Sequence, residues 1–397
     1  MVEMYKAVPS AFASSPAQSP TQNPRIRFAS MAPPPELNDD VTAQVLLRLP
    51  PDEPELLFRA ALVCKPWLRI LCDPAFLRRY RAFHGAPPLL GLLHRLQVLD
   101  GDPAPRLAST TAAPLCPYPE FSRSRALDCR HGRVLLHVLD RRVEFGLLVW
   151  DPVTGDQQGL PDVDFPWLIY SAAVLCAVPG CDHLGCRGGP FVVIFVATHE
   201  YKDTILATVY SSETGAWSEP VSVDNGFESY VQPRRGALVG DEIYFTLHRG
   251  DAIVKYDRGN NCLTVISPPP PKTRNGYIAL MTMEDSSLGL AGFLGSSLYL
   301  WSRKVNSEGA AEWVQCRVLE LETTLPVSGP NDKPGVVGFA EGVDVIFVRT
   351  GVGLFMVELK SGRVRNIGEA GVYFSVLPYM SFYTPDRGTL ASLARTC

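Results

Sequence analysis

Residues 35–80 read PELNDDVTAQVLLRLPPDEPELLFRAALVCKPWLRILCDPAFLRRY, and they decide how the chain divides. Four short helical patterns follow one another here. Asn38 or Asp39 caps the first, which carries Val41, Val45 and Leu49 on one stripe with Leu46 beside it. Pro50-Pro51 stops it. Asp52 and Glu55 form a D-x-x-E variant of the capping box, with Pro54 tolerated in the first turn. The second pattern places Leu56, Ala60 and Val63 on one stripe and Leu57, Ala61 and Cys64 alongside. Pro66 interrupts it and starts a third helix with Trp67 and Leu71. Asp73-Pro74 is an N-cap followed by an N1 proline, opening a fourth helix with Phe76, Leu77, Tyr80 and Phe83. A head this small with this many apolar stripes is marginal alone. Some of its side chains must find a partner in the rest of the chain or in another protein.

Before the head, residues 1–34 are rich in Pro, Ser, Ala and Gln, too polar to offset their ordering entropy, and read as a disordered tail. Residues 387–397 read as a flexible C-terminal tail. After the head the pattern changes. Short apolar runs rich in Val, Ile, Leu, Phe and Tyr recur between Gly, Asp, Asn and Pro, which is a β signature. Five stretches (134–161, 191–220, 236–269, 289–321 and 335–368) each read strand, turn, strand, turn, strand. Their turns fall at Thr154-Gly155, Thr214-Gly215, Gly259-Asn260, Glu308-Gly309 and Ser361-Gly362, about 44 to 60 residues apart. A period near fifty with three or four short strands is that of a β-propeller blade, which must stack radially to bury both faces. Two pieces remain, 89–99 (LLGLLHRLQVL) and 372–383 (VYFSVLPYMSFY). Pairing them across the ring closes it, giving about six blades with one shared between the ends. The 60-residue gap between the first two turn glycines leaves room for an insertion or extra strands, so the blade number is open by one.

The chain has 397 residues and a net charge of −4, so no general attraction to nucleic acid is expected. No apolar run is long enough to span a bilayer; the nearest, residues 167–178, is closed by Pro179-Gly180. Ten cysteines, mostly scattered singly among apolar residues, suggest a reduced, intracellular protein.

Few constellations suggest bond chemistry. Cys176-x4-Cys181-x-His183-x2-Cys186 holds ligand types suited to Zn²⁺, but not at a standard knuckle spacing, so it reads as an inter-strand loop carrying reduced cysteines. The seven histidines show no motif linking one to a Ser or Cys nucleophile, and G-x-S-x-G and the P-loop pattern are absent. Neither catalytic residue nor cofactor is expected. The arginines at 123, 125, 130 and 133, at 141–142 and at 234–235 read as solvated loop charge. Trp150, Trp217, Trp301 and Trp313 read as packing between blades.

Four anchors in the head resemble an F-box: Leu37-Asn38-Asp39-Asp40, Val45-Leu46-Leu47-Arg48-Leu49-Pro50, Leu57 through Val63-Cys64-Lys65-Pro66-Trp67, and Asp73-Pro74-Ala75-Phe76. Residues 127–136, 147–161 and 378–386 resemble the F-box-associated propeller of the large plant F-box families. The resemblance implies a small all-α F-box at 35–84 followed by an all-β propeller at 86–386. It further implies a substrate-recognition adaptor of a Skp-cullin-F-box ubiquitin ligase. The head would dock on a Skp-type linker protein and through it a cullin, the propeller would hold a target protein, and the chain would work in the cytoplasm or nucleus. By motif position, linker docking falls to Leu37, Val45, Leu46, Leu49, Pro50, Leu57, Val63, Cys64 and Trp67. Two positions depart from the family pattern: Asn38 replaces a proline, and Pro66 stands between Lys65 and Trp67. They keep open a scaffold with a weakened F-box; the fold also leaves room for a propeller enzyme or a glycan-binding module.

Overall fold

Four helices open the structure, a computed structural model that describes residues 38–385 apart from 97–105, 113–114, 122, 140–145, 225–228, 271–277 and 307–309. Both expected tails, Leu37 and the Arg141-Arg142 pair lie outside the described residues. The helices are α1 (Asp39–Leu46), α2 (Pro54–Ala61), α3 (Lys65–Leu71) and α4 (Pro74–His84). Asp73 caps α4 as expected, its Oδ1 accepting the Ala75 amide at 3.0 Å. The expected capping box at α2 does not form. The helix begins after Glu53, whose side chain caps nothing, so Asp52 falls one residue outside the cap position. Pro54 has no N–H to offer there. At its other end α2 stops at Ala61, and Cys64 is extended. Val63 and Cys64 therefore leave the helical stripe expected of them and sit on an exposed turn.

Six sheets follow around a central axis. Blade one is β3 (Ser124–Arg130), β4 (Arg133–Val138), β5 (Leu147–Trp150) and β6 (Gln157–Leu160). It follows β1 (Leu89–Leu96) and β2 (Arg106–Ser109). Blade two is β7 (Trp167–Cys176), β8 (Phe191–His199), β9 (Thr204–Ser211), β10 (Ala216–Trp217) and β11 (Val221–Asp224), the last two both pairing with β9. Blade three is β12 (Ala237–Val239), β13 (Glu242–Thr246), β14 (Ile253–Asp257) and β15 (Cys262–Ile266). Blade four is β16 (Ile278–Thr282), β17 (Leu288–Leu294), β18 (Ser297–Val305) and β19 (Ala311–Glu320). Blade five is β20 (Gly335–Ala340), β21 (Val345–Thr350), β22 (Gly353–Glu358) and β23 (Val364–Gly368). Blade six joins the two ends of the ring. β24 (Tyr373–Met380) lies innermost and pairs antiparallel with β1, Leu93 opposite Leu377. The long interval in blade two is a ten-residue inner strand plus a loop, residues 177–190, that carries the cysteines.

The apolar core lies between blades, as radial stacking requires. Leu93 and Tyr379 of blade six pack with Leu136 and Trp150 of blade one. Ala173 and Ile194 meet Ile243 and Phe245 across the next-but-one seam, and Leu298 and Leu300 meet Ile346 and Val348 further round. Trp217 and Trp313, on the outer strands of blades two and four, each tie back to the preceding blade. Their indole N–H groups donate to the carbonyls of Pro161 and Ser267, both at 2.8 Å. Near the axis β20 and β24 approach so closely that a Cβ at residue 338 would sit 2.1 Å from the Val376 carbonyl oxygen, so only Gly338 fits. One hairpin differs from expectation: in blade three the left-handed turn residue is Asn261, φ 47°, rather than Gly259.

Candidate functional site

The head keeps a small core of its own. Leu46 and Leu57, each 1% exposed, pack with Leu71, Phe76, Leu77 and Tyr80. Helix α4 also holds the end of α1. The Tyr80 hydroxyl donates to the Leu49 carbonyl at 2.8 Å, and His84 Nε2 lies 3.0 Å from the Leu47 carbonyl oxygen. Burial, with Asp52 nearby, pushes the Tyr80 phenol far above its usual range, so it remains a donor.

One side of the head is sealed by the propeller. After β24 the chain runs back as a strap, and Phe382 enters the head's core. Tyr383 packs against Phe58 of α2 with ring centroids 5.1 Å apart. The Cys72 thiol donates to the Pro385 carbonyl at 2.9 Å, and Arg81 donates to Thr384 Oγ1 at 3.4 Å. From the cysteine loop, Leu184 packs against the same core. Part of the head's apolar surplus is thus covered from within the chain.

Other apolar side chains of the head are not covered. Val41 and Val45, one turn apart on α1, are 48% and 51% exposed, and Leu62 and Val63 after α2 are 86% and 64% exposed. The docking candidates from the sequence therefore divide. Val45, Val63 and Cys64 are exposed. Leu49 and Trp67 are half-buried at the edge of the head's core, and Pro50 is half-buried. Leu46 and Leu57 fill the interior, because they face the helix packing, and support that surface from beneath. Leu62 was missed. It sits off both α2 stripes, and an apolar residue off the core stripes at a helix end was the available signal.

Beneath the head, a cleft of about 1190 Å³ opens at the axis, lined by ends of inner strands, by α4 and by the cysteine loop. At its floor two of the arginines expected in solvated loops are instead drawn inward, Arg130 buried and Arg235 half-buried. Arg130 donates to both Asp128 carboxylate oxygens at 2.6 Å, to the Gly236 carbonyl, and to Glu341 Oε1 at 3.0 Å. Arg235 donates to Asp128 Oδ1 at 3.1 Å and pairs with Glu341 Oε2 at 3.2 Å, while the Val174 amide donates to Asp128 Oδ2 at 3.0 Å. Two carboxylates and two guanidiniums thereby join blades one, two, three and five. The correction has a simple cause: around the axis, backbone carbonyls and opposite charges from different blades converge and satisfy groups that are far apart in sequence. Burial by itself would raise the Glu341 carboxyl, but Arg130 and Arg235 outweigh it and hold it at about 2. Arg133 is buried as well, and Arg123 remains exposed.

The cysteine loop joins two strands and carries free cysteines, as expected. Cys176 closes β7, but the loop folds back on it, bringing one ligand atom each from Cys176, Cys181, His183 and Cys186 within 4.8 Å of one another. Burial and the neighbouring thiols of Cys176 and Cys181 push the Cys186 thiol up to about 12.

The opposite face carries the hairpins between second and third strands and the starts of the inner strands. Trp167, Leu168 and Tyr201 of blade two are exposed there, as are Val327, Val352 and Val372 around blades five and six.

Two family profiles match the chain. The F-box domain matches residues 35–79, and the β-propeller described as "F-box protein AT5G49610-like" matches residues 125–386. F-box domains generally bind Skp-type adaptors. A search of curated protein sequences found no significant match. Solved structures with a similar course include the extracellular domain of the putative hybrid two-component system BT4673 from B. thetaiotaomicron, at 13% identity and TM-score 0.34. That match covers 62% of this chain and 28% of the other. A chain of the nidogen/laminin complex is 12% identical, with TM-score 0.38, over 73% of this chain and 98% of its own length. The GH93 alpha-L-arabinofuranosidase of Fusarium graminearum is 11% identical, with TM-score 0.35, over 63% and 82%. At these values the likenesses say nothing of a shared activity.

Proposed function

Because this chain belongs to the F-box proteins with an AT5G49610-like β-propeller, we propose that it is a substrate-recognition adaptor of a Skp-cullin-F-box ubiquitin ligase. The head docks on a Skp-type linker and through it a cullin. The propeller holds a target protein near the ubiquitin-charged enzyme. The chain performs no bond chemistry itself; it raises the effective concentration of target lysines at the activated ubiquitin. Its working compartment is the cytoplasm or nucleus.

The observation that carries this reading is the division of the head's apolar surface. Phe382, Tyr383 and Leu184 cover one side, while Val41, Val45, Leu62 and Val63 stay exposed. Burying a side chain of this kind is worth roughly 1.5–3 kcal/mol, so leaving several in water is costly unless a partner covers them. The target's place is the propeller face away from the head, where Trp167, Leu168 and Tyr201 are exposed. Large aromatic side chains of that kind are common anchors in interfaces.

Co-expression with a Skp-type linker tests the docking. Wild-type protein is expected to co-purify with it, and Leu62→Asp with Val63→Asp to lose at least about a hundredfold in affinity, some 2.7 kcal/mol, with the melting temperature unchanged. Undiminished binding by that double variant would remove the docking assignment. Proximity labelling with the proteasome inhibited, comparing wild type with Leu168→Asp, then identifies the target.

A further inference from the structure

The long loop of blade two, residues 177–190, gathers soft ligands in a way the adaptor role does not use. Cys176, buried at the end of β7, and Cys181 and Cys186, both half-buried, bring their sulfurs together with His183. Every pair of donor atoms lies within 4.8 Å, and His183 Nδ1 is 3.8 Å from Cys186 Sγ. Three Zn–S bonds of ~2.3 Å and one Zn–N bond of ~2.0 Å form a tetrahedron with S–S edges of about 3.8 Å and N–S edges of about 3.5 Å, so the donors need to close by no more than about 1.3 Å to reach that geometry. We propose that Cys176, Cys181, His183 and Cys186 form a structural Zn²⁺ site that pins this loop against the F-box head. The proposal stands independently of the adaptor reading.

The donor set fits zinc on chemical grounds. Three thiolates and one imidazole close a tetrahedral site and leave no open position, which is the pattern of structural rather than catalytic zinc. Each thiol gives its proton to solvent as its bond to the metal forms.

The surroundings match those of metal-bound thiolates. The Val178 amide approaches Cys176 Sγ at 3.4 Å, and the His183 amide approaches Cys181 Sγ at the same distance. In both, the donor is two residues beyond the cysteine. Zinc with three thiolates leaves one net negative charge. Arg133 stands next to it, donating to the carbonyls of Cys186 at 2.8 Å and Gly189 at 2.6 Å. His131 accepts the Cys176 amide on Nδ1 at 3.1 Å and stacks on the His183 ring at 4.0 Å, nearly parallel. Outer contacts of this kind orient the ligands of metal sites. His183 itself is held at φ 58°, a left-handed backbone that is unfavourable for a non-glycine residue. Strain of that kind collects where a side chain must be aimed.

The consequence lies next to the ligands. Leu184, between His183 and Cys186, packs into the head's core, and Gly185 sits so close to Arg81 of α4 that a Cβ there would come within 2.8 Å of its guanidinium. A metal that orders residues 181–186 therefore also sets how the head is held on the propeller.

The test uses full-length protein purified in reducing buffer without added metal. Mass-spectrometric metal analysis is expected to find one zinc per chain, and Co²⁺ exchanged into the protein to give the absorption of a tetrahedral thiolate site. Cys181→Ser and His183→Ala, both at accessible positions, are expected to lower Zn²⁺ affinity by more than the ~10–100-fold that follows loss of an outer hydrogen-bond partner. Their far-ultraviolet circular dichroism should remain that of the propeller. Cys262→Ser, on β15, should keep its zinc. Removing the metal should hasten protease cleavage between α4 and β1. Protein that neither retains zinc nor takes up Co²⁺ overturns the site. So does zinc content unchanged in Cys181→Ser with His183→Ala, or a disulfide among the three cysteines in freshly isolated protein.

Discussion

Phe382 meets Tyr80 edge to face, with ring centroids 6.2 Å apart. Tyr80 belongs to the last helix of the head, and Phe382 to the strap that follows the last propeller strand. The pair joins the two halves of the molecule through residues some three hundred positions apart. It also explains how a head with so small a core is held: its final layer comes from the end of the chain.

Phe382→Ala should therefore destabilise the head by about 3 kcal/mol, the usual cost of removing a buried phenylalanine. Calorimetry should show a head transition moved to lower temperature ahead of an unchanged propeller transition, and proteolysis should cut sooner between α4 and β1. A single unshifted transition would mean the strap contributes nothing.

At the axis, Asp128 is fully buried and accepts from Arg130, Arg235 and the Val174 amide. Asp128→Ala leaves the buried Arg130 and the half-buried Arg235 without a shared acceptor, and should cost about 3–5 kcal/mol in urea denaturation. Lys255→Ala, which breaks the more exposed Lys255–Glu242 pair at 2.5 Å, should cost less than about 1 kcal/mol. Comparable losses from the two would show that the axial cluster is no more than surface charge.

Glu341 makes the propeller sensitive to acid. Its carboxyl is held at about 2 against an ordinary 4.5. A depressed carboxyl stabilises the fold fully above the unfolded value, and that contribution is lost as pH falls from about 4.5 through about 2, where the unfolded chain binds the proton first. Stability measured by urea midpoint should drop across this window by up to about 3 kcal/mol from this residue. Glu341→Gln should flatten the slope there while lowering stability at neutral pH. An unchanged acid slope in that variant would place the sensitivity elsewhere.

Much of the architecture was legible because it rests on local chemistry. Proline and acidic caps marked four helices, and turn residues at a period near fifty marked the blades. The pairing of residues 89–99 with 372–383 followed from both being left over and from the need to close the ring, and the β1–β24 ladder is that pairing, with β2 as a further partner of β1. Where local signals failed, a tertiary contact had won. The arginines at 130, 133 and 235 carry charge that in sequence suggests solvent, yet carboxylates and carbonyls from other blades bury Arg130 and Arg133 and half-bury Arg235. Leu46 and Leu57 share a motif with Val45 and Val63, but only helix packing separates interior from surface.

Residues 35–80, read alone, determined that the chain begins with a helical head whose apolar surface exceeds its own needs, since helix periodicity and caps depend only on neighbours a few positions away. Which part of that surplus stays outward was decided by the tertiary structure. Phe382, Tyr383 and Leu184 arrive from distant parts of the chain to cover one side, leaving Val45, Leu62 and Val63 in water. The convergence of Cys176, Cys181, His183 and Cys186 was decided the same way, by a loop folding back on a strand end, which spacing along a chain does not encode.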